Sequence, residues 1–180
     1  MTLIARPTAD EHAPYYGTYI DSAARTLDER GLPGIVALLE AQRGDWDALM
    51  ADVPDSQAGY AYAPGKWTLA ESLVHVSDTE RVFAYRLLRI ARGDRTPLPG
   101  FEQDEWVPTS RAANRSLANI MAEMFAVREA TLALVRSLDG EAVAQRGVAS
   151  GKEVSARALV WMIAGHMGHH LGLTREKYLI

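Results

Sequence analysis

The chain has 180 residues, 48% of them hydrophobic, with a formal net charge of -4 and no cysteine. That length suits one domain with an ordinary core, and mild acidity without a basic stripe excludes nucleic acid and anionic membrane surfaces as targets. Lack of cysteine removes disulfides, Fe–S clusters, thiolate metal sites and a cysteine nucleophile, so any metal must be held by nitrogen and oxygen.

Taken in chain order, the first segment carries Arg6, Asp10 and Glu11 and no long apolar run, so no signal peptide is expected. No window approaches the ~18 apolar residues of a membrane span, and the expected location is the cytoplasm. Tyr15, Tyr16, Tyr19 and Ile20 pack either a short helix or arm against the rest of the chain, or a subunit interface, where tyrosine is enriched. The first clear helix starts near Pro33–Gly34 and ends by Val53–Pro54, with an apolar face of Ile35, Leu38, Leu39, Trp46, Leu49 and Met50. A second is predicted over 68–91. Thr68 and Glu71 form its capping box, Gly93 stops it, and its stripe is Leu69, Leu73, Val76, Phe83, Leu87 and Ile90.

Residues 94–113 contain Pro97, Pro99, Gly100 and Pro108 and cannot be one regular element. A connection this long is either functional or a crossover between distant helices. The third helix, 115–138, has the row Leu117, Ile120, Met121, Met124, Val127, Leu134, Val135 and Leu138. A glycine-marked connector with Gly147 and Gly151 then leads to a fourth helix capped by Ser155 and running past Gly172. No strand-like alternation is visible. The pattern predicts an all-α four-helix bundle with a long connection between the second and third helices, in one domain over 1–180.

The fourth helix carries the chemistry. His166 and His170 are four apart, so they share a face, and they continue the core-facing row Leu159, Met162, Ile163. Unpaired buried polar groups cost roughly 1–3 kcal/mol each, and a divalent metal on neutral imidazoles satisfies both rings at once. The competing reading is a pair of hydrogen-bonded core histidines. Gly165, Gly168 and Gly172 each cost about 1 kcal/mol relative to alanine in a helix, so a close helix neighbour or room for a ligand is expected beside them. His169 also has the spacing to pair with His166, but the apolar row favours His170 and leaves His169 outside the ligand set or exposed. His75, at the edge of the second helix's stripe, is a candidate third ligand; His12 is expected to be exposed. Metal affinity should weaken as pH falls through about 6.5.

Several blocks together resemble the DinB-like superfamily, in its bacillithiol-transferase-like branch. They are Gly65-Lys66-Trp67-Thr68, the helix from Glu71 through His75 to Glu80, Pro99-Gly100-Phe101 through Trp106, Arg128-Glu129-Ala130-Thr131, and Ala164-Gly165-His166-Met167-Gly168-His169-His170. The resemblance implies a four-helix bundle, a nickel or zinc site on His75, His166 and His170, and a homodimer. It also implies activities on small molecules: transfer of low-molecular-weight thiols such as bacillithiol or mycothiol, thiol-dependent isomerisation, or hydrolysis. Asp78 and Glu80, within about a turn and a half of His75, are candidate catalytic helpers, against the plainer reading of a solvated helix face. Arg81, Arg86 and Arg89 are candidates for binding an acidic substrate. Glu102, Asp104, Glu105 and Trp106 read as a polar surface loop, and Trp67 and Trp161 as core.

Overall fold

Thr68 starts the helix that anchors the fold. The Glu71 N–H donates to Thr68 Oγ1 (3.3 Å), and the Thr68 N–H donates to the Glu71 carboxylate (2.8 Å). This reciprocal cap satisfies backbone donors that the first turn leaves open, and the helix runs over Leu69–Ala91. In the computed structural model, which describes residues 3–179, it is α3 of α1 (Gly17–Arg30), α2 (Ile35–Met50), α3, α4 (Gln103–Thr109), α5 (Leu117–Arg136), α6 (Gly140–Ala144) and α7 (Ala156–Leu173). A π-helical turn, Thr174–Tyr178, continues α7. Residues 1 and 2, part of the stretch read for a signal peptide, lie outside the described residues.

Helices α2, α7, α3 and α5 form a four-membered ring in that order, each packed on its two neighbours. The long connection between α3 and α5 therefore joins adjacent helices. It carries α4 and pairs with the rest of the chain through Leu98. The N-terminal segment is settled as a helix: α1 packs against α7 and α2, with Tyr16 edge-on to Phe83 at 5.9 Å between ring centroids. Ahead of it, buried Glu11 pairs with Arg157, and the Trp161 indole N–H donates to the Ile4 carbonyl (3.3 Å). Trp161 is core, as expected.

One feature was not expected. The connector before α7 holds an antiparallel hairpin, β1 (Arg146–Ala149) with β2 (Lys152–Ser155), in the register Arg146↔Ser155 to Ala149↔Lys152. Ser150 (φ 53°) and Gly151 (φ 71°) both adopt the left-handed region that two-residue hairpin turns require. Strands of four residues are too short to display alternation, and the glycines read only as loop. The Leu98 N–H donates to the Val148 carbonyl (2.9 Å), and the Ser150 N–H donates to the Leu98 carbonyl (3.0 Å), which fastens the segment before α4 to the hairpin. Buried Arg86 adds a pin from α3, donating to the Pro99 carbonyl (2.7 Å) and Ser150 Oγ (2.9 Å).

The ring is cross-tied by a buried polar network. Arg128 of α5 makes a two-pronged contact with Glu80 of α3 (2.9 and 2.7 Å) and also donates to the Leu39 carbonyl and to Gln42 Oε1 of α2 (3.0 and 2.9 Å). Gln42 Nε2 in turn donates to the Ala164 carbonyl of α7 (2.7 Å). Glu80 is thus a structural ion-pair partner and not a helper beside His75. Arg128 is 0% exposed and Glu80 3%, so removing one partner strands the other's charge in the core. Arg128→Ala is expected to lower unfolding free energy by about 3–5 kcal/mol, measured by urea denaturation, with Arg128→Met costing less when combined with Glu80→Leu. Gly165 is the second fixed point, since a Cβ there would run into the Tyr19 carbonyl of α1. Gly165→Ala is expected to cost about 1–3 kcal/mol and to lower Tm.

A candidate metal centre at the seam of two helices

His166 and His170 sit one turn apart on α7, and His75 faces them from α3. Their ring centroids make a near-equilateral triangle of 5.1 Å (His75–His166), 5.0 Å (His75–His170) and 4.6 Å (His166–His170). One nitrogen from each ring lies within 4.8 Å of the other two. His75 Nε2 and His166 Nε2 are 3.2 Å apart. Two nitrogens at ordinary zinc–nitrogen distances on a tetrahedral ion would be about 3.4 Å apart, so this pair already has the spacing that a shared cation requires.

All three rings are buried, at 4–6% exposure. Ser72 Oγ lies 3.3 Å from His170 Nδ1, and Thr79 Oγ1 lies beside His75, 3.4 Å from Nδ1 and 3.5 Å from Nε2. A hydroxyl accepting from Nδ1–H leaves the Nε2 lone pair for a ligand bond and fixes the ring's orientation. Aromatic neighbours hold the rings from outside. Trp67 tilts against His75 at 4.7 Å, and Tyr19 meets His166 edge-on at 5.6 Å. Trp67 is therefore a wall of the site, and the core reading is corrected. What the sequence does not convey is that the loop before Thr68 folds back over the first turns of α3.

Burial lowers the pKa of His166 and His170 well below 6.5, assisted by the neighbouring rings. Burial also brings His75 down to about 4, against an upward pull from Asp104. The set is neutral at pH 7, the state in which imidazole donates to a metal, and proton competition is moved below the 6.5 expected for free histidine. Three neutral nitrogen donors meeting in a buried seam fit a borderline divalent ion.

A cavity of about 480 Å³ opens on His75 and His170. Tyr19 of α1, Lys66 and Trp67 of the loop before α3, and Asp104 of α4 contribute to its walls, and the π-helical turn adds Tyr178. His169 is exposed, lines the same cavity and packs edge-on to Tyr19 at 5.5 Å, which agrees with its place outside the ligand set. The other sequence candidates fall elsewhere. Asp78 pairs with Arg81 (3.4 Å), Arg81 also reaches Glu123 (2.6 Å), and Arg89 pairs with Asp94. Neither Asp78 nor Glu80, nor any of the three arginines, lines the cavity. His12 is half-buried, its Nδ1 3.0 Å from the Ala13 carbonyl, and stands apart from the cluster. The acidic residue that does face the histidines is Asp104, read from sequence as part of a surface loop. Its sequence signals were membership of the long proline-interrupted connection and of the Pro99–Trp106 block that carries the family resemblance.

The glycines of α7 divide between the two expectations. Gly165 admits the α1 backbone and Gly168 admits the Gln42 amide, whereas a side chain at Gly172 would meet open space. Gly172 faces a second cavity of about 310 Å³ between α1, α2 and α7.

A helical ring with three imidazoles from two of its helices converging beside a cavity defines a helical-bundle protein with a histidine cluster fit to hold a metal ion. A sequence profile of the DinB superfamily matches residues 38–174, and the chain belongs to that superfamily. No curated protein matches the sequence. Among solved structures, the chain is similar to YfiT from Bacillus subtilis, described as "a probable metal-dependent hydrolase with an unusual four-helix bundle topology". The TM-score is 0.69 at 15% identity, over 95% of this chain and 92% of that one. It is also similar to a mycothiol-dependent maleylpyruvate isomerase, with TM-score 0.64 at 15% identity. That match covers 77% of this chain and 58% of the isomerase's length. At such identity the likeness establishes the fold.

The depressed histidine pKa values fix the sign of an acid effect. Below 6.5 the unfolded chain takes up protons that the folded one refuses, so stability is full above pH 6.5 and is lost as pH falls towards 4. For His75 alone the loss by pH 4 is about 3 kcal/mol. Urea titrations of metal-free protein between pH 7.5 and pH 4.5 should show this decline, and His75→Gln should flatten part of it.

Proposed function

We propose that the protein is a metal-dependent enzyme holding one divalent transition metal, nickel or zinc, on His75, His166 and His170. It acts on a small molecule in the adjoining cavity, by transfer of a low-molecular-weight thiol to an electrophile or by hydrolysis. One observation carries the reading: three buried, neutral imidazoles face a common point, and two of them border a cavity large enough for a substrate. Structural zinc sites close with four protein ligands, whereas three protein ligands leave a position for substrate. A divalent ion so held supplies Lewis acidity and lowers the pKa of water or a thiol that binds it. Of the two similar structures, one is described as a probable metal-dependent hydrolase and the other as a mycothiol-dependent isomerase, and these descriptions support the reading.

The chain's own residues supply the rest. Ser72 and Thr79 orient His170 and His75, Trp67 and Tyr19 exclude water from the outer faces of the rings, and His169 offers a proton-carrying imidazole at the cavity wall. The protein is expected to act away from nucleic acid and membranes; among the described residues no helix is long and apolar enough to cross a membrane.

Chelator-treated protein is expected to bind one equivalent of zinc or nickel by calorimetry. His170→Ala should weaken binding about 100-fold or more and Ser72→Ala about 10-fold. Affinity should hold from pH 8 to below 6.5 before protons compete. With metal restored, thiol consumption against monochlorobimane, or turnover of an ester or amide panel, should appear and should vanish in His170→Ala. Metal-free protein indifferent to chelator and to His170→Ala would make the histidines core residues. Stoichiometric metal without turnover would make the protein a binding module.

A further inference from the structure

The histidine helix does not end in a regular turn. After Leu173 it widens into the π-helical turn Thr174–Tyr178, a rare conformation found mostly as single turns and often at functional sites. The wider winding changes where Tyr178 lies. An α-helix advances about 100° per residue, so eight regular residues would leave Tyr178 about 80° round the axis from His170. A π-turn advances less per residue, which brings Tyr178 back towards the face that carries His166 and His170. Its side chain accordingly borders the same cavity as His170, although the residue is only 2% exposed.

From there Tyr178 reaches the loop that leads into the other helix of the cluster. Its phenol O–H donates to the Trp67 carbonyl (2.8 Å), and the Trp67 ring is the one that lies on His75 at 4.7 Å. Tyr60 and Tyr62 of the same loop meet the Tyr178 ring edge-on, at 6.3 and 5.2 Å. Backbone bonds tie this loop to the start of α3, the Leu69 N–H donating to the Tyr60 carbonyl (2.9 Å) and the Ala70 N–H to the Ala58 carbonyl (3.0 Å). Among the described residues, the Tyr178 bond is the one hydrogen bond that ties residues 58–67 to any element beyond α3.

Trp67 limits both the tilt of the His75 ring and the water that reaches its outer face. Whatever loosens Trp67 frees His75 to leave the geometry it shares with His166 and His170. Resting on the metal-binding reading above, we infer that Tyr178 is a positioning residue of the histidine centre. It donates no ligand atom. Its hydroxyl closes the loop before α3 onto the extension of α7, and so keeps Trp67 against His75 and His75 level with its partners. One hydrogen bond thus joins the two elements that carry the three imidazoles, close to where the imidazoles meet. Tyr178 itself lies beyond residues 38–174, the stretch that the superfamily profile matches.

Tyr178→Phe keeps the ring packing and removes the bond. By calorimetry its zinc affinity is expected to fall about tenfold, the lower end of what losing an outer contact costs a metal site. Cobalt-loaded protein should report the same loosening as a change in its visible absorption bands, which follow coordination geometry. Leu138→Ala, in the core and away from the cavity lining, separates site effects from general loss of stability. It should lower Tm and leave zinc affinity unchanged. A double variant tests the route through Trp67: Trp67→Ala should weaken zinc binding, and adding Tyr178→Phe should weaken it no further. In the unaltered protein, linkage requires zinc to stabilise the contact in return, so backbone amides of residues 174–179 should exchange more slowly with zinc bound. Unchanged zinc affinity in Tyr178→Phe, equal weakening by Leu138→Ala, additive losses in the double variant, or unchanged exchange at 174–179 each overturns the role of Tyr178 and leaves the metal centre standing. Unaltered protein that binds neither zinc nor nickel overturns the metal-binding reading beneath it.

Discussion

The buried contact between Arg128 and Glu80 organises this bundle, because its hydrogen bonds reach every helix of the ring. An ion pair withdrawn from water is costly, and it is tolerated only where the remaining donors and acceptors are matched. Here the guanidinium spends its donors on Glu80 of α3 and on Leu39 and Gln42 of α2, and Gln42 passes the connection to Ala164 of α7. Apolar side chains can slide past one another at little cost, but these contacts fix the axial registers of the helices. Glu80 is five positions beyond His75, and Ala164 is two before His166. Fixing those two points sets His75 level with the histidines of α7.

Packing around that frame then creates the chemistry. Gly165 lets α1 press against α7, which closes off the His166 side with Tyr19, while Trp67 covers His75. Water is kept from the rings, so protonation is disfavoured and the lone pairs stay available. The same exclusion makes the hydroxyls of Ser72 and Thr79 matter, since a buried imidazole needs a partner for the nitrogen turned away from the cluster. The open side, towards the cavity, is the one direction from which a ligand can approach.

Much of this was legible in the sequence, and the reasons are specific. Strong caps at Thr68 and Ser155 and apolar rows of helical period fixed α3 and α7 to within a residue or two. The i, i+4 spacing of His166 and His170 within an apolar row located one half of the candidate centre. His75 required the family resemblance, since the packing of α3 on α7 is not written in either helix alone. The polar network left a signal that went unread. The core faces of α2, α3 and α5 carry Gln42, Glu80 and Arg128, long polar side chains whose donors and acceptors complement one another. The hairpin and the inward face of Asp104 were not legible. Both depend on short segments whose conformation is set by what they pack against, Leu98 pairing with Val148 in one case and Arg86 bracing the loop in the other.

The stretch shared with the superfamily, residues 38–174, contains all three imidazoles, yet one wall of the cavity belongs to α1, which precedes it. Tyr19 lines the cavity and is not one of the three nitrogen donors. The three nitrogen donors are thus encoded within the matched stretch, while part of the surface that a ligand meets on entering lies outside it. A substitution at Tyr19 can therefore change what enters the cavity while leaving all three imidazole donors in the chain.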